Sequence, residues 1–388
     1  MITIGYRRDA NEWVSRRPDG FYRFGRGELA AAASLPDLTF AVNEQNGRVG
    51  PLVGILVSES SISALLGGRK PWVETVIRSL HADGGIAIVS TAAGIGENMV
   101  SGYVFAPALE RFVESSTPLP DVVYNRVKSR EEEQSEPFQT AAARLASHGI
   151  PLVNRSFFRK SDVCRALQTD RRLWPHLLPT APVRSLADIH SWLHQYGCIY
   201  LKRDDGARGS GLLRLTASPG AGAICESPRG QKRVRSLDEL EPLVQSHRYI
   251  VQAAACTDTW NGRRYDLRVL AHWQRHRHTI TGVGVRLAGP RSLTTHVFHG
   301  GTILPYSEIQ SRIDEQALER LIAWSGERLN EQFGLVGEFS ADIGVGKQQE
   351  LYIYEINAKP MVFDEPDIEA RRLQRLNRLF AELAHLAP

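Results

Sequence analysis

The segment Gly337–Pro360, GEFSADIGVGKQQELYIYEINAKP, restricts this chain more than any other. It reads as two β-strands joined by a short polar turn. Period-two alternation puts Glu338, Ser340 and Asp342 on one face of the first strand and Phe339, Ala341 and Ile343 on the other. On the second strand Leu351, Ile353, Glu355 and Asn357 share a face, with Tyr352, Tyr354 and Ile356 opposite. A turn centred on Gln348 and Gln349 sets Asp342 directly across from Glu355. Facing carboxylates repel across a strand pair. A hard divalent cation turns that repulsion into attraction, and Asn357 adds a third oxygen. Because Mg²⁺ is commonly held by one or two carboxylates together with substrate phosphates, the hairpin is read as one half of a nucleotide–metal site. The alternative is an exposed hairpin of solvated acids, but three oxygen donors beside apolar neighbours make a poor solvated face.

At 388 residues the chain has room for two or three cores. Apolar residues make up 42% and charged residues 23%, as in ordinary globular proteins. No apolar run reaches the length of a membrane span. The opening MITIGYRRDANEW lacks an apolar signal core, so the expected location is the cytoplasm. Cys164, Cys198, Cys225 and Cys256 form no CxxC and read as reduced structural thiols. The net charge of +4 is mild, with basic clusters at Arg7, Arg8, Arg16, Arg17, Arg23 and Arg26 and at Arg371, Arg372, Arg375 and Arg378. These read as solvated faces rather than a nucleic-acid surface, because no nucleic-acid motif accompanies them.

The first 50 residues read as irregular apart from Leu38–Val42. From Pro51 the pattern is strand (PLVGILVS), helix (Lys70–Asp83), strand (IAIVST), strand (DVVYNR) and helix (Phe138–His148). With short glycine connections this order predicts a small parallel sheet. Beyond Asn154 the expected elements are helices over Ser161–Leu173 and Ser185–Tyr196, a strand ending at Lys202, and a Gly-rich turn. A capped helix from Ser236, the strand Tyr249–Ala254, an antiparallel pair (Tyr265–Trp273 with Thr279–Arg286), and helices over Asp314–Phe333 and Glu369–Leu386 complete the list.

Three further segments carry chemistry. Glycines in Arg203-Asp-Asp-Gly206-Ala-Arg-Gly209-Ser210-Gly211 let backbone N–H groups approach phosphate, and Lys202 can set its ammonium on one. The spacing is neither a Walker A loop nor a Rossmann fingerprint, and a flexible hairpin turn is the commoner use of such glycines. Tyr249-Ile-Val-Gln252-Ala253-Ala-Ala255 can present main-chain groups to an adenine edge, or simply be a buried strand end. Asp266-Leu-Arg268 puts an acid and a base on one strand face, for an anionic ligand or for an internal ion pair. His272, His276 and His278 read as a polar hairpin tip, while His296 and His299 precede Gly300-Gly301. Ser210 has no partner base, so nucleophilic catalysis is not indicated.

In this order the pieces resemble an ATP-grasp domain. More narrowly, the chain resembles the YheC/YheD family of spore-coat-associated ATP-grasp proteins. The likeness is carried by GPLVGILV, LPDVVYNRVKSREEE, IYLKRDDGARGSGLLRL, GRRYDLRVL, GEFSADIGV and LYIYEINAKP. It implies an α/β and α+β chain with an N-terminal Rossmann-like pre-ATP-grasp domain over 51–155, after the irregular segment 1–50. The ATP-grasp domain would fill 156–388, as a Gly-rich-loop lobe (156–255) and a metal-binding lobe (256–388).

The resemblance also implies an ADP-forming carboxylate–amine ligase using ATP and Mg²⁺ through an acylphosphate, associated with the spore coat. Asp342, Glu355 and Asn357 would hold the metal. Lys202 and Lys160 would contact phosphates, and Gly206, Gly209, Ser210 and Gly211 would close over them. Gln252, Ala253 and Ala255 would hold adenine, with Asp258 on the ribose. Arg268 would act with Lys202 at the transferred phosphoryl group. Three points depart from the family pattern: Arg203 replaces a common Pro, Thr295-His296 stands where Thr-Asn is common, and Lys160 is matched only by its position before a helix. The missing Asn bears on specificity or activity if that residue normally binds substrate. A nucleotide-binding structural component of a spore layer is the alternative reading.

Overall fold

The computed structural model describes residues 1–16, 21–69, 71–206, 209–218, 222–228, 230–289, 292–293, 295 and 300–386. Arg17, Lys70, His296 and His299 of the reading above lie outside them, as do Ala207 and Arg208 of the Gly-rich turn. The chain divides into two compact units: Met1–Ser156 with Phe333–Gly337 and Glu369–Pro388, and Phe157–Gln332 with Glu338–Ile368. Residues 369–388, assigned on sequence to the metal-binding lobe, therefore belong to the first unit.

The first unit holds two sheets. Its first 50 residues are not irregular: short strands between Ile2 and Gly50 form a seven-stranded sheet. Trp13 anchors it, with its ring about 5 Å from those of Tyr6, Phe24 and Phe40. The second sheet has the strand order Arg111–Pro118, Met99–Ala106, Ile86–Ser90, Leu52–Leu56, Val122–Asn125, Leu152–Val153. The last four strands of that order run parallel, as the strand–helix–strand pattern predicts. The hairpin Met99–Pro118 had no counterpart in the sequence reading.

The PDVVYNR motif fastens both ends of its strand. Asp121 accepts from Leu52 N (2.9 Å) and from Arg48 (3.1 Å). Asn125 donates to Glu133 (2.9 Å) and to Arg155 O (2.8 Å), and accepts from Val127 N (3.0 Å). Arg372 is fully buried, with its guanidinium 4.0 Å from the Trp72 ring centroid, so this member of the C-terminal basic cluster is core rather than solvated surface.

The second unit also holds two sheets. One is antiparallel throughout, in the order Thr180–Val183, Tyr249–Ala253, Cys198–Arg203, Leu213–Ala217, Ala223–Ser227, Gly230–Val234. Helix Leu186–Tyr196, opened by a Ser185/Asp188 capping box, packs Ile189 and Leu193 on Ile199, Leu201 and Val251. The other sheet runs Thr302–Leu304, Arg277–Leu287, Arg263–Gln274, Glu338–Val345, Leu351–Asn357. Helix Glu315–Phe333 buries Leu318, Leu321, Ile322 and Leu329. Its Gly326 meets the His278 ring so closely that a Cβ there would lie 2.1 Å from Nδ1. The expected Ser236 helix is a 3₁₀ turn, Leu237–Leu240, followed by the short helix Glu241–Ser246.

Candidate functional site

Asp342 pairs with Glu355 in the ladder, as alternation predicted, but by a different route. The turn closes from Gly346 to Glu350, so its centre is Gln348. A bulge at Tyr354 then adds one residue and restores the Asp342–Glu355 register. The bulge also changes the phase of burial. Leu351 and Ile353 are buried before it and Ile356 after it, so Leu351 and Ile353 do not share a face with Glu355 and Asn357. Of the Glu338, Ser340, Asp342 row, Glu338 and Ser340 are fully buried and only Asp342 keeps partial exposure.

Each of the two facing carboxylates already has a protein cation. Arg268, cross-strand from Asp342, approaches Asp342 Oδ1 at 3.4 Å, and Lys160 Nζ lies 3.0 Å from Glu355 Oε1. The internal Asp266–Arg268 pair is therefore not what forms. Asp266 instead accepts from Thr295 Oγ1 at 2.6 Å. Burial, reinforced by Asp342, pushes its carboxyl up to about 7, against the pull of Thr295, Arg268 and Arg286.

Lys202 leaves its strand on the face opposite Ile199 and Leu201. Its ammonium donates to Gln252 Oε1 (2.7 Å) and to Tyr354 O (3.1 Å), the carbonyl of the bulged residue. Burial lowers its pKa to about 8; Lys160 lowers it further, while Glu355 and Asp342 pull the other way. Lys160 opens the helix Lys160–Gln168 and donates to Gly206 O at 2.7 Å as well as meeting Glu355. Gly209 and Gly211 take φ near +70°, where a side chain is strained, and a Cβ on Gly211 would lie 2.5 Å from the Arg203 side chain. Ser210 is exposed beside them.

A small cleft, partly open to solvent, is lined by Lys160, Cys164, Leu178, Gln252, Ile353 and Glu355 among others. Its walls are largely apolar, with Lys160, Gln252 and Glu355 supplying polar groups, the kind of lining that small-molecule sites use.

Two of the expected contacts fall on groups that already have protein partners. The N–H groups of Ala253 and Ala254 bond Pro179 O (2.9 Å) and Cys198 O (3.1 Å), and Gln252 bonds Lys202 and Thr180 through its side chain. Asp258 accepts from Arg312 (2.6 Å) and Tyr265 (3.1 Å), which gives it an anchoring role in the fold. The histidine tip also resolves differently: His272 and His278 are buried, and only His276 is exposed.

Sequence reasoning missed Thr180, the bond from Thr295 to Asp266, and the Arg286–Glu365 pair. Arg286 grips Glu365 with both terminal nitrogens, at 2.5 and 2.9 Å. The available signal was the alternation of Gly282 and Gly284. Cβ atoms there would strike Ile368 (2.8 Å) and Glu365 (2.5 Å), so the glycines admit that segment onto the sheet.

Among the described residues no group of three His, Cys, Asp or Glu forms a metal cage. The set offered is two facing carboxylates and the Asn357 amide, all hard oxygen donors. That set fits Mg²⁺, which leaves the rest of its shell to phosphate and water.

A family model described as YheC/D like ATP-grasp matches residues 149–386. The chain belongs to this family. A curated relative is the endospore coat-associated protein YheD of Bacillus subtilis (strain 168). The two are 26% identical over 392 residues, covering 94% of this chain and 84% of YheD. Two solved structures share the ATP-grasp fold at 13% identity. D-alanyl-alanine synthetase A from Vibrio cholerae superposes with a TM-score of 0.51 over 87% of this chain and 99% of its own. An N5-carboxyaminoimidazole ribonucleotide synthetase, solved with ADP, gives 0.50 over 87% of this chain and 78% of its own. These likenesses speak to the fold. No helix among the described residues is long and apolar enough to cross a membrane.

Proposed function

We propose that the chain is an ATP- and Mg²⁺-dependent ligase that joins a carboxylate to an amine and releases ADP, in association with the spore coat. The observation that carries this reading is the convergence of two lysines on two facing acids: Lys160 pairs with Glu355, Glu355 stands across the ladder from Asp342, and Lys202 feels the charge of all three. The two synthetases of like fold and the coat-associated relative agree with it.

In this reading Lys202 and Lys160 hold phosphate oxygens and the Gly206–Gly211 turn lies over them. Asp342, Glu355 and Asn357 hold Mg²⁺, which would screen phosphate charge when bound. The substrate carboxylate takes the γ-phosphoryl group as an acylphosphate, and the amine then displaces phosphate. Arg268, fixed between Asp342 and the Phe363 ring 5.4 Å away, offsets the charge that develops. Catalysis comes chiefly from positioning.

The test is to incubate protein with ATP, Mg²⁺ and a panel of amino acids and peptides. ADP is measured, and condensation products are sought by mass spectrometry. The expected result is ADP with a new amide product, lost in Asp342→Asn and Glu355→Gln while both variants stay folded. Unchanged ADP formation in those variants removes the metal assignment. The name of the B. subtilis relative favours a second reading, a nucleotide-binding coat component without turnover. ATP binding with no ADP over the whole panel would select it.

A further inference from the structure

The two lysines beside the facing acids are not equivalent. Lys202 donates to neutral acceptors, an amide oxygen and a main-chain carbonyl. Lys160 alone of the two forms an ion pair with one of the acids assigned to the metal, at 3.0 Å from Glu355 Oε1. Its main chain is fixed: Lys160 N–H donates to Asp204 O (3.1 Å), and Ser161 donates to both Asp204 carboxylate oxygens (2.8 and 2.9 Å). The flexible four-carbon stem therefore carries the ammonium from a rigid base. At its tip the ammonium joins two elements far apart in sequence, the Gly-rich turn through Gly206 O and the metal hairpin through Glu355.

Glu355 cannot give its charge fully to Lys160 and to a divalent cation at once, because the two cations repel at close range. Asp342 is in the same position with Arg268. A divalent ion arriving alone meets two carboxylates that are already neutralised. A polyphosphate changes the balance, since its oxygens offer Lys160 a replacement anion, and the exchange costs little net charge.

We propose, resting on the nucleotide–metal reading above, that Lys160 makes metal binding conditional on nucleotide: it holds Glu355 against a divalent cation and releases it in exchange for a phosphate oxygen. Coupling of this kind is reciprocal, so nucleotide and metal strengthen each other's binding by the same factor. Because Lys160 also grips Gly206 O, the exchange reaches the Gly-rich turn in the same step.

The experiment measures Mn²⁺ binding by electron paramagnetic resonance, with and without ADP, and ADP binding with and without Mn²⁺. The proteins are wild type, Lys160→Met and Lys160→Arg. Without nucleotide, Lys160→Met is expected to bind Mn²⁺ about tenfold tighter than wild type, because Glu355 is released. Without metal, it is expected to bind ADP about tenfold more weakly, because a phosphate contact is lost. Misfolding lowers both affinities and cannot produce opposite shifts. Lys160→Arg keeps a cation at Glu355 and is expected to leave nucleotide-free Mn²⁺ binding as weak as in wild type. Mn²⁺ binding without nucleotide that is unchanged or weaker in Lys160→Met overturns the proposal. Failure of wild type to bind ADP at all overturns the nucleotide reading instead, and the nucleotide-free Mn²⁺ comparison still reports on the Lys160–Glu355 contact.

Discussion

Strands Arg263–Gln274 and Glu338–Val345 carry two acid–base pairs on one face, Arg268 with Asp342 and His272 with Glu338, and give them opposite surroundings. The distances are alike, 3.4 and 3.3 Å. The first pair keeps side-chain exposures of 11% and 19%, whereas both members of the second are at 0%. Leu270 lies between them on the strand and packs with Phe363 and Ile368, which divides the row into a wet end and a dry end. At the dry end His272 also bonds Thr281 Oγ1 at 2.7 Å, so its second ring nitrogen has a partner as well. At the wet end Arg268 and Asp342 keep access to solvent and so to a ligand. What separates a structural pair from a candidate functional one is the layer above it, here a segment admitted by Gly282 and Gly284.

That contrast can be broken most strongly at the dry end. Glu338→Ala removes a fully buried carboxylate from beside His272 and is expected to cost about 3 kcal/mol of stability by denaturant unfolding. ADP affinity per folded molecule should not move. A folded Glu338→Ala protein that no longer binds ADP would erase the distinction. The next effect is smaller and belongs to the wet end. Lys202 is lowered to about 8 by burial, so its ammonium is lost as pH rises through that value. ADP affinity should fall above pH 8 by up to about tenfold per unit, and Lys202→Met should flatten the profile. Stability should move the other way. The unfolded lysine titrates near its ordinary 10.5, so between about 8 and 10.5 the unfolded chain binds more protons and Lys202 makes folding more favourable as pH rises. A binding profile flat across pH 8 would count against Lys202 as a phosphate contact. The smallest effect expected is on the stability of Asp342→Asn, within about 1 kcal/mol of wild type, because its ion pair is partly solvated and long.

The Asp342–Glu355 pairing was legible because strand alternation and turn position fix which residues face each other. It was reached through two departures that cancel, a turn centre at Gln348 and the Tyr354 bulge. Alternation cannot see the bulge, and the bulge is what turns Leu351 and Ile353 off the Glu355 face. The dry end was illegible for a related reason. Glu338 and Asp342 occupy equivalent positions in the pattern, and the residues that separate them, Phe363 and Ile368, come from outside both strands. The N-terminal sheet escaped notice because its strands between Ile2 and Gly50 include several of two residues, too short for periodicity to register. The Asp258–Arg312 and Arg286–Glu365 pairs were missed because their members lie 54 and 79 residues apart.

The account depends on Asp342 and Glu355 acting together on a metal that carries nucleotide. Isothermal titration of ADP into wild type, Asp342→Asn and Glu355→Gln, each with Mg²⁺ and with EDTA, addresses this directly. The expected result is that Mg²⁺ tightens ADP binding to wild type at least tenfold and adds almost nothing in either variant. An equal Mg²⁺ enhancement in all three proteins would contradict the account.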